Sequence, residues 1–238
     1  MSIVILLTIY SVFVYFVIYY FKENISKILN VFDLSNEKRK IHKLPTPKTA
    51  SYSIGVLIVS SLILNYFIKF FKKDIVIMFF GTLLIFFIGF IDDRYKLSAT
   101  KKTIFISLVT FLLCILSDTF IVDKFYIKSL DFFFKLEHFS IFFTILCVLC
   151  LTNALNLADG INGLATGIIF FWLFYINQIY NHNIDFMINI LFINLFLIFF
   201  HNYKGKHFLG DSGSLMLSAF LAFFIIMLHN QSISDPNH

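Results

Sequence analysis

Charge is what this sequence has least of. Asp, Glu, Lys and Arg make up 14% of its 238 residues, and 59% are apolar, whereas soluble domains carry about 25% charged residues. With a mean hydropathy of +0.85, that scarcity excludes a soluble globular domain. Nine glycines and three prolines are too few for a collagen-like repeat or a Pro/Gly-rich disordered chain. Cys114, Cys147 and Cys150 all sit inside apolar runs, so no disulfide framework is expected. Cys147 and Cys150 have C-x-x-C spacing, but redox chemistry needs an accessible thiolate, and apolar burial opposes one. No basic segment precedes the first apolar run, so a secretory signal is not expected either.

What the chain does have is apolar runs of membrane length. A spanning helix needs about 17–25 mainly apolar residues. Runs near 3–21, 51–71, 75–91, 103–122, 140–157, 163–180, 186–203 and 214–229 qualify. The expected fold is an all-α, polytopic integral membrane helical bundle of about eight transmembrane helices, forming a single domain over 1–238. Alternating sides put thirteen Lys and Arg in 22–50, 92–102, 153–162 and 204–213, against six on the other side. The positive-inside rule then makes those four loops cytoplasmic and places the N-terminus outside, in a multi-pass protein of the cell (inner, cytoplasmic) membrane. The net charge of +5 is read as that bias, so nucleic acid is not an expected partner.

The cytoplasmic loops also hold the polar clusters. They are Arg39-Lys40-Ile41-His42-Lys43-Leu44-Pro45-Thr46-Pro47, Asp92-Asp93-Arg94, Asn153 to Leu164, and Gly210-Asp211-Ser212-Gly213-Ser214. Two adjacent carboxylates closing an uncharged run pay for desolvation and mutual repulsion, which a divalent cation or a phosphate-borne proton would relieve. A solvated helix end balanced by Arg94 and Lys96 is the plainer reading. Asp159 lies near Asn153 and Asn156, amides suited to phosphate, sugar or an oxygen-rich metal shell, and Gly160 lets backbone approach a ligand. A polar turn between spans is its alternative. Gly210 and Ser212 open a helix N-terminus able to hold an anion, with Asp211 as a metal ligand; a common turn with an N-cap would look the same. Lys40 and His42 could neutralise a diphosphate, or merely touch anionic lipid. Four clusters on one basic face point to one cytoplasmic active site.

The ordered set R-K-x-H-x-x-P-x-P, D-D, N-x-x-N-x-x-D-G and G-D-x-G-S resembles the polyprenyl-phosphate N-acetylhexosamine-1-phosphate transferases. These include the enzyme making the first lipid intermediate of peptidoglycan and those initiating O-antigen, enterobacterial common antigen and teichoic acid. The resemblance implies transfer of a HexNAc 1-phosphate from a UDP-sugar such as UDP-GlcNAc to polyprenyl (undecaprenyl) phosphate, with release of UMP and dependence on Mg²⁺, or Mn²⁺ in its place. By matching motifs it implies Asp92, Asp93 and Asp159 as catalytic residues, one of the adjacent pair acting as base. Asp211 and Asp92 would bind metal. Asn153, Asn156, Gly160, Lys40, His42, Gly210 and Ser212 would bind substrate. A homodimer is left open.

The sequence also departs from the family. Ala50-Ser51 stands where a glycine pair is usual, and Asn162 where a second aspartate is frequent. The family has ten or eleven spans and a histidine-rich loop beyond G-D-x-G-S; this chain ends at His238, so that loop and the last two spans are expected to be lacking. The alternatives are a catalytically impaired homologue that binds substrates or serves as a scaffold, and a transporter. The transporter reading expects charges at the bilayer midplane, whereas these clusters sit at span ends.

Overall fold

The computed structural model describes residues 2–33, 45–69, 71–127, 132–179 and 186–234. Lys40 and His42 fall outside them. Among the described residues the chain forms α1 (Ser2–Leu29), α2 (Tyr52–Ile68), α3 (Lys73–Tyr95), α4 (Ala99–Leu116), α5 (Ser140–Ala158), α6 (Leu164–Ile179), α7 (Phe186–Tyr203) and α8 (Gly210–Ser234). Each expected apolar run corresponds to one helix. Five helical stretches are long and apolar enough to cross a membrane, and three apolar helices are shorter. The protein is a predominantly helical, polytopic membrane bundle of the all-α class. At about 1.5 Å per residue, the 16 residues of α6 fall short of the roughly 30 Å hydrocarbon core.

The boundaries differ from the sequence reading where it matters most. Asp92 and Asp93 occupy the last turn of α3, Asn153 and Asn156 the last two turns of α5, and Asp211 and Ser212 the first turn of α8. Polar side chains at a helix end cost the span little when they have partners there, so these helices run on through residues first assigned to loops. Two short antiparallel pairs are additions to the all-α expectation. Phe32–Asp33 (β1) pairs with Thr46–Pro47 (β2), and Lys124–Ile127 (β3) pairs with Phe132–Lys135 (β4).

The bundle is built around α8. It is apolar on every side, and 89% of its most hydropathic window is buried, as expected of a helix without a polar face. Its most extensive neighbour is α3, followed by α5. The α3–α8 crossing is tight at its site end. A Cβ on Gly89 would lie 2.4 Å from the Asp211 carbonyl oxygen and 2.5 Å from the Ser212 Cα. Both are backbone atoms that cannot rotate away. At the other end of the bundle, the Asn230 amide of α8 donates to the carbonyls of Thr119 (2.9 Å) and Ile121 (2.8 Å).

Gly89→Ala should therefore destabilise the bundle by about 3 kcal/mol, the upper range for overpacking. Gly55→Ala, whose added methyl meets nothing nearer than 3.8 Å, should be neutral or slightly stabilising. Heating each variant in detergent and following the monodisperse fraction by size exclusion checks this; equal midpoints would contradict it.

Candidate active site

Among the described residues, Asp93 is a tightly constrained carboxylate. Its side chain is fully shielded from solvent. One oxygen accepts the Asp211 backbone N–H at 3.0 Å and the other the Ser212 N–H at 2.8 Å. These are orphan donors of the first turn of α8, so α3 caps α8 from outside, with negative charge at the positive end of the helix dipole. Gly210, at φ +70°, permits the approach: a Cβ there would lie 2.6 Å from the Asp93 carboxylate. The Lys48 ammonium completes the shell 3.2 Å from Asp93 Oδ1. Burial alone would lower the Lys48 pKa, but Asp93, Asp211 and Asp33 outweigh it and raise it.

Lys48 is held there by its backbone. Its N–H donates to the Val31 carbonyl (3.1 Å), the Phe208 N–H donates to Pro47 (2.9 Å), and the Ala50 N–H donates to Phe208 (3.1 Å). Thr49 Oγ1 meets His207 Nε2 at 2.9 Å. The segment before α2 is thus laced to the segment that leads into α8. His207 is wholly buried, and its Nδ1 has no hydrogen-bond partner. Burial, then the positive charge of Lys22 and the neighbouring His201, push its pKa down to about 3.

Asp92, one residue before Asp93, faces a different set of groups. Its oxygens accept the Leu97 N–H at 2.6 Å and the Lys102 ammonium at 2.7 Å, and its carboxyl interacts with the carboxyl of Asp211. Two carboxyls in contact need a proton or a cation between them. Asp159 follows α5 directly and is half-buried. Burial, then the charges of Asp211 and Asp93, hold its pKa well above the usual carboxylate range, against the pull of Lys48. Asn156 Oδ1 accepts the Ser214 hydroxyl at 2.7 Å, tying α5 to α8.

The structure thus brings Asp92, Asp93, Asp159, Asn156, Gly210, Asp211 and Ser212 together. It does not bring in Asn153, whose exposed amide donates back to the Leu149 carbonyl of its own helix at 2.9 Å. Gly160 is exposed at the rim. The Ser212 hydroxyl is buried without a hydrogen-bond partner. So is that of Tyr52, which interacts electrostatically with Ser212 without reaching hydrogen-bond geometry. Sequence reasoning missed Lys48, Lys102, His207 and Tyr52. Only Lys102 carried a signal, being a cation in the first turn of a helix, where the dipole disfavours it. Among the described residues no three His, Cys, Asp or Glu converge to hold a metal by themselves. The Asp92–Asp211 pair instead has the donor set of Mg²⁺, which takes one or two carboxylates and fills its shell with substrate phosphates and water.

The model of glycosyl transferase family 4 matches residues 75–229. The chain belongs to that family. Every described candidate residue lies inside the family 4 match, whereas Lys48 precedes it. Among curated relatives, a protein of Bacillus subtilis (strain 168) named "Probable undecaprenyl-phosphate N-acetylglucosaminyl 1-phosphate transferase" is 27% identical over 75% of this chain and 50% of its own length. The phospho-N-acetylmuramoyl-pentapeptide-transferase of Staphylococcus epidermidis (strain ATCC 12228 / FDA PCI 1200) is 29% identical over 80% of this chain and 64% of its own. That of Prochlorococcus marinus (strain MIT 9515) is 32% identical over 66% and 48%. The chain thus spans about half to two-thirds of the length of these family 4 relatives.

The buried His207 gives a pH prediction. The unfolded imidazole takes a proton near pH 6.5, and the folded one refuses it until about pH 3. Stability is therefore fully present above 6.5 and falls as the pH drops through that window, by about 2 kcal/mol at pH 5 from this group. His207→Gln should lose correspondingly less stability between pH 7 and 5. An unchanged drop in thermal midpoint would contradict the assignment.

Proposed function

We propose that this family 4 protein transfers a HexNAc 1-phosphate from a UDP-sugar, UDP-GlcNAc or a related UDP-HexNAc, to polyprenyl (undecaprenyl) phosphate and releases UMP. The observation that carries this reading is the Asp92–Asp211 carboxyl contact at the ends of two membrane helices, beside a lysine and an amide. Such a site suits a diphosphate arriving from water and a lipid phosphate arriving from the bilayer. The relatives' printed names support that substrate class. The excess of Lys and Arg on this side supports a cytoplasmic face of the cell membrane, where UDP-sugars are made.

In the reaction an oxygen of the lipid phosphate attacks the phosphorus that bears the sugar. The bond from that phosphorus to the bridging oxygen of UMP breaks, and UMP leaves with the electron pair. Asp211 and Asp92 would hold Mg²⁺, which supplies charge neutralisation between the attacking and leaving phosphates when bound. Lys102, 2.7 Å from Asp92, orients that carboxylate and adds positive charge to the diphosphate site. Asp159, which follows α5 and lies near Asp211 and Asp93, lines the diphosphate side of the site. Asn156 and the turn at Gly160 line the sugar-nucleotide side. Lys40 and His42, outside the described residues, are assigned to the phosphates by their motif alone.

Purified protein given undecaprenyl phosphate, Mg²⁺ and UDP-GlcNAc should release UMP, and chelation should stop it. Asp211→Asn should lower the rate about a hundredfold or more, the scale of losing one preorganised electrostatic group. No UMP from a panel of UDP-HexNAc donors, or unaltered release by Asp211→Asn, would overturn the reading.

A further inference from the structure

We propose that Asp93 is a positioning residue and that, with Lys48, it forms a buried clamp seating α8 so that the Asp211 carboxyl meets Asp92. The kinetic part of this inference rests on the transferase reading; the structural part does not.

A general base needs a free lone pair within reach of the proton it takes. Three of the roughly four lone-pair sites of the Asp93 carboxylate are taken, and none faces solvent. Its two oxygens receive two backbone N–H groups and an ammonium, and its side chain is closed to solvent. The two neighbouring aspartates grip the same residue from two directions: Asp93 holds the main chain of Asp211, and Asp92 meets its side chain. Successive residues on a helix point about 100° apart, so one turn of α3 can do both. Gly89 and Gly210 are two positions where a side chain would break this seating, since their Cβ atoms would lie 2.4 Å from the Asp211 carbonyl oxygen and 2.6 Å from Asp93 Oδ2. Lys48 supplies the countercharge from a segment laced to 207–209, so the clamp joins three parts of the chain remote in sequence. Adjacent carboxylates that look equivalent in the sequence therefore divide the work: Asp92 meets the Asp211 side chain and Asp93 holds the Asp211 main chain in place.

The test uses Asp93→Asn, Lys48→Arg, Lys48→Met and the double variant Lys48→Met/Asp93→Asn in the full chain. The first readout is amide hydrogen exchange of residues 210–214, which needs no turnover. Asp93→Asn and Lys48→Met should speed it, and Lys48→Arg should leave it near native. The double variant should exchange more slowly than Lys48→Met, because it no longer buries an unpaired charge. The second readout is the Mg²⁺ dependence of UMP release. Asp93→Asn should need about tenfold more Mg²⁺ for half-maximal rate, as when a group that orients a metal ligand is lost, and excess Mg²⁺ should restore most of kcat. Native exchange at 210–214 together with a rate that no Mg²⁺ restores would make Asp93 the base and overturn the proposal. If the unsubstituted protein releases no UMP, the transferase reading fails, and the exchange pattern alone decides the clamp. Should Asp93→Asn not fold, the contrast between Lys48→Arg and Lys48→Met decides it: indistinguishable exchange in those two overturns the clamp.

Discussion

A buried carboxylate is the constraint on which the rest of this structure turns. Asp93 lies at the junction of α3, α8 and the segment before α2, and an unpaired charge there would cost several kcal/mol. The surrounding backbone is arranged to prevent that: two N–H groups at the start of α8 point at it, and Lys48 lies against it. Those bonds are available only if α8 begins at Gly210 with its first turn pressed against the last turn of α3. The absence of a side chain at Gly89 and Gly210 follows from the same closeness. So does the burial of α8 at the centre of the bundle, since a helix seated on α3 and flanked by α5 leaves little surface for lipid.

This arrangement also explains how a bundle so poor in charge can keep four aspartates at one end. Each has a distinct means of being tolerated. Asp93 is capped and paired. Asp92 has a lysine and a backbone donor. Asp211 interacts with the carboxyl of Asp92, and burial and acidic neighbours raise the pKa of Asp159. Of the four, the Asp92–Asp211 pair is the one left wanting a proton or a cation. The stability of the fold and the chemistry of the site thus depend on the same few bonds.

Much of this was legible in the sequence because its cause is local. Apolar runs of membrane length read directly as helices, and the loops between them collected the polar residues that converge in space. Asp92, Asp159, Asn156 and Asp211 were found in that way. Asp93 was found too, but its burial was not visible, since adjacent aspartates at a helix end look alike until the partner helix is placed. Lys48 counted only as one more basic residue, and His207 gave no local sign, because both owe their position to pairing between 47–51 and 207–209. Asn153 shares the spacing of Asn156, yet it lies on the outward side of α5. The β3–β4 hairpin was hidden among Phe and Lys residues that read as a plain connection. Lys40 and His42 lie outside the described residues, so the structure adds nothing to their reading.

The most direct measurement is the binding of Mn²⁺, as a spectroscopic stand-in for Mg²⁺, to the purified chain with UDP present, followed by electron paramagnetic resonance in the unsubstituted protein, Asp92→Asn and Asp211→Asn. If the ends of α3 and α8 together form a cation and diphosphate site, the unsubstituted protein binds Mn²⁺ and UDP strengthens that binding, while both variants lose it. Binding that persists unchanged in both variants, or that UDP does not affect, would contradict the account.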